Sequence, residues 1–302
     1  MLIDRVTEQI RKKKNPCIVG LDPEWEKLPD CYKDGNCPAP EAVLGWARDI
    51  IDALADLLVA VKPQMAFYEV YGGEGVRVFE RIVSYAHERG LIVIDDSKRG
   101  DIGNTARAYA YAHLASDGPI GADFLTISPF LGRDAMQPFV DVAVRQGKGL
   151  FVLVKTSNPG SVEISEARNG QGQKLSDWLA EYVAGLGEKS TGTCGYSAIG
   201  AVVGATFPEE AAHLRKIMGK NYFLVPGYGA QGGSEEDIVP CFCEDGLGAL
   251  VSSSRSILYH YREVPGYDGS RRQYLDIVRS QAIRMQRDVY ETLKAHCTEM
   301  DW

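Results

Sequence analysis

The chain has no uninterrupted apolar run near the roughly 18 residues that a membrane-spanning helix needs, and it is short of positive charge. Its 33 Lys and Arg stand against 41 Asp and Glu, a net charge of −8. A general nucleic-acid or membrane-surface binder would want a basic face instead. A few placed cations could still hold an anionic ligand. The seven cysteines (17, 31, 37, 194, 241, 243 and 297) are odd in number and scattered. Cys31 to Cys37 and Cys241-Phe242-Cys243 match neither a zinc knuckle nor a redox CxxC, so unpaired thiols in a reducing compartment are expected. Only five histidines occur (87, 113, 213, 260 and 296), each in or after a segment of helical pattern. They are expected at the surface or in packing, and no metal site is expected. Met1-Leu2-Ile3 passes at once into Asp4, Arg5 and Glu8, so no signal-peptide apolar region is expected. A soluble cytoplasmic protein follows from these absences.

What is present is alternation. Short β-branched runs at Cys17–Leu21, Leu58–Val61, Leu91–Asp95, Phe124–Ile127, Leu150–Val154, Ile199–Val203, Tyr222–Val225 and Ala249–Val251 are separated by amphipathic stretches. Val43, Trp46, Ala47, Ile50 and Leu54 recur at helical spacing, as do Tyr274, Val278, Ala282, Met285, Val289 and Leu293. Strands alternating with helices imply βαβ units and a parallel sheet. Eight repeats fit a closed (β/α)8 barrel, the TIM-barrel class, better than an open sheet. One domain over residues 1–302 is expected, with an N-terminal helix and a long C-terminal helix. Residues 24–40 and the Gly/Ser/Thr-rich residues 185–197 exceed ordinary connections and are expected to be loops of that domain.

Several strands end alike, in an apolar run, then polar residues, then Gly or Pro: Gly20-Leu21-Asp22-Pro23, Val61-Lys62-Pro63, Lys155-Thr156-Ser157-Asn158-Pro159-Gly160 and Val225-Pro226-Gly227-Tyr228-Gly229. Turn chemistry accounts for most of the Pro and Gly. It does not account for lysines and aspartates at the first polar positions, where barrel enzymes carry their catalytic groups. The sharpest signal is Asp96-Ser97-Lys98-Arg99-Gly100-Asp101-Ile102-Gly103-Asn104-Thr105. Asp96 and Lys98 are two apart, so on an extended strand they project to one face. With Lys62 from the neighbouring strand and Asp101 from the loop, they would form an alternating chain of charge.

This pattern resembles a known family. Asp-x-Lys-x-x-Asp-Ile-x-x-Thr after the third strand is the signature of orotidine 5'-phosphate decarboxylases, and residues 96–105 carry every element of it. The resemblance extends over most of the barrel. Asp22 matches the first-strand aspartate and Lys62 the second-strand lysine. Thr156 to Gly160 resembles the segment whose serine, here Ser157, faces the pyrimidine. Val225 to Gly233 resembles the phosphate loop, with Gln231 bridging phosphate and pyrimidine, and Arg255 stands where the phosphate arginine belongs. Arg99-Gly100-Asp101 and Ser128-Pro129-Phe130-Leu131-Gly132-Arg133-Asp134 resemble the type 2 branch. Two departures stand out. Ser252-Ser253-Ser254-Arg255 replaces the usual Val-Gly-Arg, so an amide expected at the phosphate would come from Ser254. Residues 160–197 are longer than in compact members.

The resemblance implies conversion of orotidine monophosphate to uridine monophosphate without cofactor or metal. Loss of CO2 from C6 leaves a carbanion, and Lys98 is the expected cation beside it and the proton donor that quenches it. Asp96 and Asp101 would favour its charged form, and Asp96 would face the departing carboxylate. Lys62 and Asp22 would hold the ribose hydroxyls. Asp101 and Thr105 would reach into a partner's site, which implies an obligate homodimer. Two other readings stay open: an aldolase or magnesium-dependent hexulose-phosphate synthase on the same barrel, and a phosphate-ester sensor without chemistry.

Overall fold

Alternation of buried side chains builds two cores from the same strands. A computed structural model describes residues 1–33, 35, 37–229 and 233–302. Among them, eight strands pair in parallel in chain order, and the last closes on the first. They are β1 (Cys17–Leu21), β2 (Ala60–Pro63), β3 (Ile92–Arg99), β4 (Phe124–Ile127), β5 (Gly149–Lys155), β6 (Ser197–Val203), β7 (Asn221–Val225) and β8 (Ala249–Ser253). The helices are α1 (Leu2–Lys13), α2 (Ala39–Leu54), α3 (Ala66–Glu69), α4 (Gly72–Glu88), α5 (Gly103–Leu114) and α6 (Arg133–Gln146). They continue as α7 (Ser161–Ser165), α8 (Leu175–Gly187), α9 (Pro208–Ile217), α10 (Glu235–Ile238), α11 (Arg255–Leu258) and α12 (Arg271–His296). The fold is the expected (β/α)8 barrel.

Side chains of one parity, such as Ile18, Ala60, Ile92, Phe124, Phe151 and Tyr222, fill the barrel interior. The opposite parity, such as Val19, Val61, Val93, Leu125, Val152 and Phe223, packs outward beneath the helices. The expected helical stripes are the buried faces of α2 and α12. Ser270 caps α12 by accepting from the Gln273 amide at 3.1 Å. The length of α12 has a use: Tyr274 accepts from the Trp46 indole of α2 at 2.8 Å, and Gln286 donates to the Lys13 carbonyl at the end of α1.

Boundaries differ from expectation where a side chain holds a strand end. β2 starts at Ala60 rather than Leu58, because Lys13 Nζ takes the carbonyls of Ala55 and Leu58. β3 runs on to Arg99. The insertion after β5 folds as two helices, α7 and α8, joined by a turn whose Arg168 and Lys174 pair in antiparallel fashion. α8 runs into the segment expected to be loop, ending at Gly187, and a 3-10 turn over Glu188–Ser190 follows. Among the described residues no helix is long and apolar enough to cross a membrane.

Helix α1 closes the end of the barrel opposite the strands' C-termini. Its Ile3, Val6 and Ile10 are fully buried and join the interior cluster, and its Arg5 pairs with Asp123 just before β4 at 3.2 Å. Ile10→Ala is expected to cost roughly 3 kcal/mol by loss of transfer energy and an unfilled cavity. Chemical denaturation at pH 7 measures this. A loss below about 1 kcal/mol would show that α1 is not part of the barrel core.

Candidate active site

At the other end, the inward parity turns from apolar to polar. Ile92 and Ile94 lead up β3 to Asp96, Ala60 leads up β2 to Lys62, and Phe124 leads up β4 to Thr126. Adjacent aspartates therefore part company. Asp95 points into the helix layer, where its carboxylate meets buried His113 at 2.6 Å and accepts from the Ser97 hydroxyl. Arg99 donates to His113 Nε2 at 3.3 Å, which leaves the proton on Nδ1, facing Asp95. Asp96 points into the mouth of the barrel.

Asp96 is the hub of that mouth. Its Oδ2 accepts from Lys62 Nζ at 2.9 Å and Gln64 Nε2 at 3.1 Å. Its Oδ1 accepts from Lys98 Nζ at 2.6 Å and the Thr126 hydroxyl at 2.9 Å. Asp96 and Lys98 do not meet as successive same-face residues of a regular strand. β3 bulges between Asp95 and Arg99, and Lys98 takes a left-handed conformation (φ 48°) that turns its ammonium back onto the carboxylate.

Burial alone would raise the pKa of Asp96, but Lys62 and Lys98 reverse this and hold it well below the ordinary carboxylate range. Burial likewise works against the charge of Lys62, and Asp96 with Asp22 more than offsets it, so its pKa lies above the usual lysine value. The two lysines differ in exposure: the Lys62 side chain is 8% exposed and that of Lys98 43%. Lys62 is fixed, whereas Lys98 is a cation presented to whatever fills the mouth.

A cavity of about 460 Å³ opens there, within the range of small-molecule sites. Of the residues expected at the site, Asp22, Lys62, Asp96, Lys98, Ser157 and Arg255 line it. Asp22 Oδ1 is buried with no hydrogen-bond partner among the described residues. The backbone beside it is pinned by two tyrosines, Tyr68 donating to the Leu21 carbonyl at 3.0 Å and Tyr259 to the Asp22 carbonyl at 2.6 Å. A Cβ at Gly20 would fall 1.9 Å from the Ser254 hydroxyl, so a side chain there would have to displace Ser254. Gly204 is constrained in the same way: a Cβ there would lie 2.8 Å from the Ser157 backbone. Arg255 opens α11 at the far rim and has no carboxylate partner within 4.0 Å among the described residues.

Two expected site residues are not brought into this cavity. Asp101 and Thr105 lie outside it in a single chain, and Asp101 accepts from the Ile102 amide at 2.8 Å rather than from Lys98. Gln231, with Gly232 of the same loop, lies outside the described residues. Conversely Gln64 and Thr126, which hold Asp96, were not singled out from sequence. Gln64 follows Lys62 at the same parity and could have been found by extending β2. Thr126 carried no signal beyond a β-former in a strand.

Residues 15–261 match the family model described as "Orotidine 5'-phosphate decarboxylase / HUMPS family". An orotidine 5'-phosphate decarboxylase of Rhodopirellula baltica is 43% identical over 281 residues, covering 90% of this chain and 93% of its own. One from Clostridium novyi is 38% identical over 289 residues, covering 96% and 98%. A Streptomyces avermitilis protein crystallised as a candidate enzyme of the same name superposes with a TM-score of 0.81. It is 32% identical and covers 96% of this chain and 95% of its own.

The hub makes a prediction about stability. Asp96→Asn leaves Lys62 a buried ammonium with only Asp22 as nearby counter-charge, which is expected to cost roughly 3 kcal/mol at pH 7. Because the folded pKa of Asp96 is depressed, its contribution is complete above the ordinary carboxylate value of 3.8 and is lost as pH falls through the folded value. Urea denaturation should therefore show a gap between native and variant protein that is full at pH 7 and shrinks in acid. Equal stabilities at pH 7 would mean that other groups neutralise Lys62.

Proposed function

We propose a role for each site residue in this chain, which belongs to the orotidine 5'-phosphate decarboxylase / HUMPS family and decarboxylates orotidine 5'-monophosphate to uridine 5'-monophosphate in pyrimidine biosynthesis. The pyrimidine ring lies between Lys98 and Ser157, with its C6 carboxylate against Asp96. When the bond to carbon dioxide breaks, its electron pair stays on C6, and the Lys98 ammonium stabilises that charge as it develops. Lys98 then gives a proton to C6, leaving the product and a neutral amine that solvent reprotonates. No imine or thiazolium sink is needed, and no metal or cofactor is invoked. A lysine donating to a carboxylate also opposes the neutral amine that an aldolase would require.

The observation that carries this reading is the position of Lys98 Nζ, 2.6 Å from Asp96 and facing the cavity. Asp22, whose Oδ1 has no partner among the described residues, and Lys62 hold the ribose hydroxyls. Arg255 takes the phosphate in a bidentate fork, with the Ser254 amide and Gln231 completing that end. Phosphate binding far from C6 can then be spent on closing the site around the ring.

Asp101 and Thr105 act in the partner's site of a homodimer. Their surroundings support this: Ile102 is 58% exposed and Phe130 82%, and Tyr109 and Leu131 are exposed nearby, an apolar surface of the kind that a second copy covers. Membership of the type 2 branch rests on Arg99-Gly100-Asp101 and on Ser128 to Asp134. A cytoplasmic location fits the substrate.

Lys98→Ala is expected to lower turnover by several powers of ten, at roughly 1.4 kcal/mol per decade, with the fold retained. Loss of the orotate absorbance follows the reaction, and near-native turnover would remove Lys98 from the mechanism. Mixing Lys98→Ala with Asp101→Ala subunits is expected to restore part of the activity that each lacks alone, because one of the two sites in a mixed dimer is then intact. Absence of recovery, with subunit exchange verified, would place Asp101 in its own chain's site or in none.

A further inference from the structure

The β3–β4 seam contains an irregularity centred on the reacting groups. Ile94 and Asp95 pair with Phe124 and Leu125, and pairing resumes only at Arg99 with Ile127. Three residues, Asp96, Ser97 and Lys98, thus oppose Thr126 alone. In the bulge, the Lys98 amide finds its acceptor in the Thr126 hydroxyl at 2.9 Å rather than in a neighbouring carbonyl. An amide can only donate and a carboxylate only accept, so the proton order is fixed. The Lys98 N–H points to Thr126 Oγ1, and the Thr126 O–H points to Asp96 Oδ1, which also receives Lys98 Nζ at 2.6 Å.

We propose that Thr126 is a positioning residue of the decarboxylation, holding the bulge closed so that Lys98 and Asp96 keep the separation the reaction uses. Thr126 is fully buried and does not line the cavity, so it acts on substrate only through these two groups. Lys98 is one of two non-glycine residues with positive φ among those described. That conformation is unfavourable for a residue with a Cβ and persists only when its surroundings impose it. The Thr126 hydroxyl supplies the backbone half of that constraint, and Asp96 supplies the side-chain half. This inference rests on the assignment of Lys98 as the reacting cation.

Two substitutions separate the hydroxyl from the volume it occupies. Thr126→Val keeps the shape and removes both hydrogen bonds; Thr126→Ser keeps the hydroxyl and loses a methyl. For Thr126→Val, kcat is expected to fall roughly 10- to 100-fold, the worth of one or two such bonds. KM is expected to stay within about threefold, because groups that hold ribose and phosphate are untouched. Thr126→Ser is expected to remain within about threefold of native kcat. Native kcat in Thr126→Val would overturn the proposal, and so would equal losses in both variants, which mark a packing role. If Thr126→Val does not fold, Thr126→Ala against Thr126→Ser asks the same question. Lys98→Ala, run in parallel, keeps the two ideas apart. Native turnover there overturns the Lys98 assignment and this inference together, whereas an inactive Lys98→Ala beside a fully active Thr126→Val overturns this inference alone.

Discussion

One buried carboxylate organises this molecule's working end. Asp96 accepts from two lysines, an amide side chain and a hydroxyl, drawn from β2, β3, β4 and the turn after β2. A buried ion cluster is poor value for stability, because desolvation consumes most of the Coulomb gain. Its worth lies in geometry. Removing any member leaves a charge or a polar group unsatisfied in a medium where that is costly, so the cluster has one arrangement. A fixed arrangement of charge is what stabilises charge developing in a transition state, since nothing need reorganise when the bond breaks.

The two lysines illustrate how exposure separates roles that sequence leaves equal. Both donate to the same carboxylate, yet Lys62 is enclosed and Lys98 is open to the cavity. An enclosed ammonium with both Asp96 and Asp22 nearby neutralises its surroundings and anchors them. An open ammonium held on one side keeps unused donor capacity toward a ligand. Asp22 stands in the complementary position, a carboxylate oxygen with no partner among the described residues. Cation and acceptor together describe a ligand that brings negative charge to one point and hydroxyl donors to another.

Much of this was legible beforehand, for physical reasons. A parallel barrel writes itself as apolar runs at regular intervals, and the stripes on α2 and α12 announce their buried faces. Polar residues directly after such runs must lie at strand ends, which is why Lys62, Asp96 and Lys98 could be named from pattern, whereas Asp22, Ser157 and Arg255 were named from the family resemblance. Other features were hidden because their meaning depends on a neighbour distant in sequence. Thr126 reads as an ordinary β-former until β3 bulges against it. Tyr68 and Tyr259 carried no signal in the sequence, and their hydroxyls reach the carbonyls of Leu21 and Asp22. His113, expected at the surface or in packing, is a packing residue whose buried partner, Asp95, the sequence did not indicate.

The reason expected for the pairing of Asp96 with Lys98 was incomplete in an instructive way. On a regular strand, residues two apart share a face but stand roughly 6.6 Å apart along the chain, their side chains running side by side. A long lysine there would extend past the aspartate, toward solvent. Two extra residues in β3 and one left-handed step at Lys98 fold the chain back instead, closing Nζ to 2.6 Å from Asp96 Oδ1. The local strain and the short contact are thus parts of the same device. Bulges recur beside active sites because the pleat alone cannot aim two neighbouring side chains at one point. A strand that obeyed its own periodicity here would have kept the charges and lost their convergence.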